Sequence, residues 1–275
     1  MSLEDLYASA ARLAAQIAAE SASITVSHVL GAPEPPIELE ISGDPGAVWR
    51  VGYAPNPWAW TPWVYANEDT RLFPGRWDDQ QGQFRTIYTA DSLLGCFLEM
   101  LAVERPQPKL TALLEEIEDD DGSIGRHPEA ADGEVGYAWL DGRMYGRAMQ
   151  RGRYCEVTHS TTVSTLALRY PLAVHGISPK DFDVSMLKTV KTRPLTRSIA
   201  RWLYDLYDND GPRVDGVAFS SRHGDDMKMW AVFERPDDTG VSPLIAPTSD
   251  PVPVAPDLPE LVEAFRLLGL RWREV

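Results

Sequence analysis

The sequence predicts an α+β fold. Short β-branched runs alternate with amphipathic stretches, but without the regular strand–helix–strand rhythm of a doubly wound sheet. No Gly-x-Gly-x-x-Gly follows a strand, which disfavours a dinucleotide-binding domain of the redox type. The 275 residues, 44% hydrophobic and 24% charged, suffice for a substantial core in one large or two small domains.

The elements follow in order. Leu3, Leu6, Ala10, Leu13 and Ile17 share one helical face, with Ser2 as N-cap. Residues 23–30 read as a strand, Pro33, Pro35 and Pro36 break it, and residues 37–41 alternate like an edge strand. Residues 1–45 are read as an appendage for partner docking or homodimerisation, or else as a plain packing helix. A core domain is expected over 46–235. Residues 48–51 and 86–89 read as strands, and 92–103 as a helix capped by Asp91 or Ser92. Residues 105–134 form a polar insertion with an acidic run from Glu115 to Asp121. Residues 135–140, the Asp141-Gly142 turn and 143–148 read as a hairpin. Helices are expected at 160–168 and 196–207, and late strands at 214–220 and 229–234. Residues 236–275 form a tail, proline-rich and extended to 259, with a last helix at 261–268.

A net charge of −15 argues against wrapping nucleic acid, which requires basic surface, but leaves a small anionic ligand open. Arginine outnumbers lysine 21 to 5. Guanidinium forks grip phosphate in a bidentate way, although genomic base composition accounts for the ratio equally well. Two cysteines, Cys96 and Cys155, are too few for a disulfide framework or a cysteine metal cage. His28, His127, His159, His175 and His223 show no ligand pairing, so no metal is expected. With no long apolar run and no signal peptide, a cytoplasmic protein without membrane contact is expected.

The most informative stretch is Gly75-Arg76-Trp77, followed by a strand ending at Tyr88 and a helix carrying Glu99. Gly95 and Ala102, about one turn to either side, are expected to leave the face around Glu99 open to a ligand. Arginines, an aromatic plate and a helix-borne acid suit a phosphorylated, ring-bearing substrate. Arg50, mid-strand between apolar neighbours, either contacts such an anion or faces water at a sheet edge. Arg71 and Arg76 flank the turn at Phe73-Pro74-Gly75 and can present two guanidiniums to one anion; Arg76 pairing with Asp78 or Asp79 is the alternative. Tyr88 offers a ring for a cationic heterocycle, or is a core tyrosine with a satisfied hydroxyl. Glu99 is either the acid of the site or a solvated helix residue. A triad of Ser221, His223 and Asp225 or Asp226 is disfavoured, since no nucleophile elbow surrounds the serine.

Trp49-Arg50, Gly75-Arg76-Trp77, Tyr88-x-Ala90 with Glu99 eleven residues after the tyrosine, the segment 196–204, and Asp215-Gly216-Val217-x-Phe219-x-Ser221 together resemble the RES family. They occur in the family's order over about residues 46–235. The family is named for its Arg, Glu and Ser and includes toxins of bacterial toxin–antitoxin pairs. The resemblance implies an ADP-ribosyltransferase-like fold, with split, mainly antiparallel sheets and surrounding helices around an NAD cleft. It implies NAD+ as a substrate, with no retained cofactor, cleaved at the nicotinamide–ribose bond. Phosphorolysis with phosphate as co-substrate, hydrolysis, and ADP-ribosyl transfer to a protein remain open. Glu99, Arg50 and Ser221 are the implied catalytic residues, and Arg50, Arg71, Arg76, Tyr88 and Ser221 the NAD contacts. One or two tryptophans among Trp49, Trp58, Trp60, Trp63 and Trp77 could wall an adenine pocket. The implied partner is an Xre-type helix-turn-helix antitoxin. The rival readings are a non-catalytic nucleotide- or partner-binding module and an esterase using Ser221.

Overall fold

The computed structural model describes residues 36–106, 133–189 and 192–273. The helix expected over 3–19, the strand at 23–30 and the acidic run at 115–121 lie outside these residues. The strands are β1 (Ile41–Ser42), β2 (Gly46–Tyr53), β3 (Thr86–Ala90), β4 (Glu134–Val135), β5 (Arg143–Gln150), β6 (Tyr154–Glu156), β7 (Tyr207–Asp208), β8 (Gly211–Pro212), β9 (Gly216–Ser221), β10 (Gly224–Phe233), β11 (Ile245–Pro247), β12 (Val252–Pro253) and β13 (Arg271–Trp272). The helices are α1 (Leu93–Leu101), α2 (Ser160–Arg169), α3 (Val184–Lys188), α4 (Arg193–Tyr204) and α5 (Pro259–Leu268).

The protein is α+β. Its main sheet runs β1-β6-β9-β10-β3-β2-β5-β11, with β12 also paired to β5. All neighbours are antiparallel except β6 and β9. One junction differs from the rest: β2 and β3 share the single ladder pair Trp49↔Ala90, whereas β2 pairs with β5 along its whole length. The sheet is therefore split into two halves joined at one rung.

Period-two alternation explains why both faces are covered. On β9, Val217 and Phe219 enter the larger core while Ala218 enters a second one behind the sheet. On β10, Met229, Ala231 and Phe233 face the first core, and Trp230 and Val232 the second. The first core lies under the helices and includes Trp77, Phe97, Leu101, Ile199, Leu203 and Leu261. Trp58 and Trp60 fill the second with Val48, Ile87 and Tyr154.

α1 begins where Ser92 accepts a hydrogen bond from the Gly95 N–H at 3.1 Å, one of the two caps expected. Leu93, Phe97, Leu98 and Leu101 drive its burial, and α5 packs on it. The helix expected at 196–207 starts earlier, at Arg193, because Pro194 is tolerated in a first turn. The hairpin expected from residues 135–148 does not form. Residues 137–140 make a 3-10 turn instead, and β4 pairs in parallel with β13. Aromatic packing accounts for this: Tyr137 stacks on Trp272 at 4.8 Å, and Trp139 lies 6.3 Å from Phe97. The sheet also takes in Ile41–Ser42, before the boundary expected at 46, and the tail strands β11 and β12 after the boundary at 235.

Candidate active site

A cleft of about 340 Å³ opens on the α1 side of the sheet, beside the single-rung junction. Arg50 and Val51 come from β2, Tyr88 from β3, Cys96, Glu99 and Met100 from α1, and Phe219 and Met229 from β9 and β10. Gly75, Arg76, Val103, Arg193 and Arg222 complete the lining. Four guanidiniums thus face one carboxylate, in a chain whose net charge is −15.

Arg50 lies where the ladder between β2 and β3 stops. Its Nε donates to the Pro57 carbonyl at 2.5 Å and its Nη1 to the Tyr88 carbonyl at 2.8 Å. The guanidinium stands in for missing strand hydrogen bonds. Burial lowers its pKa to about 10, with Cys96, Tyr88 and Asp78 opposing, so it remains cationic at neutral pH.

Arg76 is aimed by a satisfied turn. Asp78 accepts the Gly75 N–H at 2.5 Å and the Tyr88 hydroxyl at 3.0 Å, and that hydroxyl accepts the Trp77 N–H at 2.9 Å. From α4, Arg197 donates to the Gly75 carbonyl at 3.0 Å and the Phe73 carbonyl at 2.5 Å. A Cβ at residue 75 would run into the Tyr88 hydroxyl and the Asp78 carboxylate, so only glycine fits. The Arg76 guanidinium lies 5.8 Å from the Phe219 ring centre. Burial lowers its pKa, Glu99 opposes that, and Arg222 and Arg193 add to it. No pairing of Arg76 with Asp78 or Asp79 occurs; Asp79 sits 3.7 Å from Arg201 instead.

Tyr88 has the satisfied hydroxyl of a core tyrosine, engaged with Asp78 and Trp77, and also a place on the cleft wall. Burial, with Asp78 beside it, pushes the phenol far above its ordinary range, so it stays protonated.

Glu99 receives the Ser221 hydroxyl on Oε1 at 2.5 Å. Ser221, 1% exposed at the end of β9, also accepts the His223 N–H at 2.9 Å. Its hydroxyl is turned towards Glu99, not towards the cleft. Burial lowers the His223 pKa, Glu99 opposes this, and Arg222 adds to it.

The structure thus brings Arg50, Arg76, Tyr88 and Glu99 to one cleft, with Ser221 behind the acid. It leaves Arg71 out. That residue sits exposed at φ 57° in the turn Asn67–Leu72 and is not among the cleft's lining residues. The face around Glu99 is not opened by Gly95, as expected from spacing. A Cβ there would meet Ser92 Oγ, Ala90 and Met227, so the glycine serves close helix–sheet packing. No tryptophan lines the cleft, because Trp58 and Trp60 are committed to the second core and Trp77 to the first. The serine triad also fails on geometry: His223 Nε2 accepts from Arg222 Nε at 2.9 Å, and Asp225 pairs with Lys188. Sequence reasoning missed Arg193 and Arg222. Arg222 adjoins Ser221 in the chain, which was a usable signal; Arg193 stands only near the 196–204 segment.

Among the described residues, no cluster of His, Cys, Asp or Glu is arranged to hold a metal, and no helix is long and apolar enough to cross a membrane.

Fold and cleft together define an α+β protein with several arginines set around one helix-borne carboxylate. The chain belongs to the RES domain family, whose model matches residues 47–250. That family is associated with NAD-related, toxin-like enzymes. No curated protein and no solved structure matches the chain.

Proposed function

We propose that this chain is an NAD+-cleaving enzyme that breaks the bond between nicotinamide and ribose, and that it acts as the toxin of a toxin–antitoxin pair. The observation that carries the reading is the Glu99–Ser221 pair, set in a cleft with Arg76 and the Tyr88 ring. When nicotinamide departs with the electron pair of the glycosidic bond, positive charge develops on the ribose as an oxocarbenium ion. A carboxylate already oriented by Ser221 stabilises that charge more than it stabilises the ground state. The Tyr88 face is suited to the cationic pyridinium ring, and the arginines to the diphosphate. The acceptor that completes the reaction is phosphate, water or a protein side chain. A protein acceptor would make the enzyme an ADP-ribosyltransferase through the same bond-breaking step.

Incubation of the purified protein with NAD+, following free nicotinamide, tests the reading. Release by wild type and its loss in Glu99→Gln are expected; equal traces for the two proteins would sink it. Expression should arrest growth, Glu99→Ala should relieve the arrest, and co-expression of an Xre-type helix-turn-helix partner should do the same.

A further inference from the structure

The cleft's arginines are not equivalent. Arg50 already spends Nε and Nη1 on the carbonyls of Pro57 and Tyr88, and so belongs largely to the junction between β2 and β3. By contrast, no hydrogen bond or ion pair engages the Arg76 or Arg193 guanidinium among the described residues. Arg222 uses only Nε, on His223. These three come from separate places: the turn after Gly75, the first turn of α4 and the end of β9. They are close enough that Arg193 and Arg222 both depress the ionisation of Arg76. Three like charges gathered with their donors unspent are unfavourable unless an anion joins them. Arg193 adds the positive end of a twelve-residue helix.

We infer that Arg76, Arg193 and Arg222 form a phosphate-binding triad that takes the diphosphate of a dinucleotide, with Arg193 and Arg222 as specificity residues that the family motif does not include. The inference rests on the reading of the cleft as a dinucleotide site, but not on turnover. Each guanidinium supplies a planar fork of N–H donors suited to two phosphate oxygens. Glu99, the only carboxylate among the described residues of the cleft wall, forms no ion pair with these guanidiniums and is left as the reacting group.

Calorimetric titration with ADP, adenosine and orthophosphate, on wild type and on Arg193→Gln, Arg222→Gln, Arg71→Gln and Glu99→Gln, tests this. Wild type should bind ADP with an affinity that falls as salt rises, and adenosine far more weakly. Arg193→Gln and Arg222→Gln should each weaken ADP about tenfold or more, the loss expected for a charge-assisted hydrogen-bonding partner. Arg71→Gln, outside the cleft lining, should leave ADP binding unchanged, and Glu99→Gln, which removes the negative charge beside Arg76, should not weaken it. Arg222 is exposed, so its variant folds whatever becomes of Arg193. ADP binding identical in wild type and both arginine variants overturns the triad. So does a result in which only orthophosphate affinity responds to them, which would assign the site to a free phosphate. If ADP binds through the triad while NAD+ is not cleaved, the enzymatic reading falls and the triad stands.

Discussion

Glu99 and Ser221 are separated by 122 positions, yet the serine hydroxyl holds one oxygen of the acid. The fixed orientation makes two variants informative. Glu99→Gln should lower nicotinamide release by about two orders of magnitude or more, the scale of losing a main electrostatic stabiliser. Ser221→Ala should lower it less, because the carboxylate persists without its orienting bond. Gly75→Ala should cost about 1–3 kcal/mol in chemical denaturation, since the added methyl displaces Tyr88 or Asp78. His223 gives a pH signature. Its folded pKa is below the ordinary 6.5, so below that value the unfolded chain takes up the proton first. Stability therefore falls as pH drops through 6.5, and above it the histidine contributes no slope. Melting temperatures of His223→Gln should vary less than those of wild type between about pH 7 and about pH 5. Arg50, Arg76, Tyr88, Glu99 and Ser221 were legible in the sequence because each sits in a short ordered motif. Arg71, expected beside Arg76, is not among the residues lining the cleft, because flanking a turn in sequence does not decide where the turn puts each flank.

At the scale of elements, α1 and α4 set the site. Ser92 caps α1, and Ser92→Ala should destabilise by about 1 kcal/mol, measured as a shift in denaturation midpoint. α4 acts twice, through Arg193 in the cleft and through Arg197, which pins the turn bearing Arg76. Arg197→Gln should raise the KM for NAD+ by roughly tenfold with a smaller change in kcat. Arg197→Lys should recover only part of the loss, since an ammonium lacks the fork that spans two carbonyls. The helices and strands were legible from apolar spacing, with ends displaced by a few residues. What spacing could not foresee was competition among partners. The segment at 137–140 is sequence-compatible with a strand, but its aromatic rings find Phe97 and Trp272, which no local pattern announces. Gly95 was read as space for a ligand, whereas the sheet beneath it takes that space.

For the whole molecule, the centre of the sheet, at β9 and β10, is buried on both faces, and an acidic chain carries a cationic cleft. Leu101, the last residue of α1 and fully buried in the larger core, should cost about 2–5 kcal/mol on replacement by alanine. The α+β class was legible from element order alone. The split was implied only by the family resemblance, because it depends on how far two strands stay together after they meet, which element order does not reveal.

That split has a mechanical meaning. Where β2 and β3 part after Trp49↔Ala90, no further ladder pair joins them among the described residues, and the Arg50 side chain reaches across to the Tyr88 carbonyl. A dinucleotide lodged there would act as a brace, touching both banks at once. Its arrival should slow amide exchange in both strands together, far from any atom it contacts, so stiffness itself becomes a readout of occupancy.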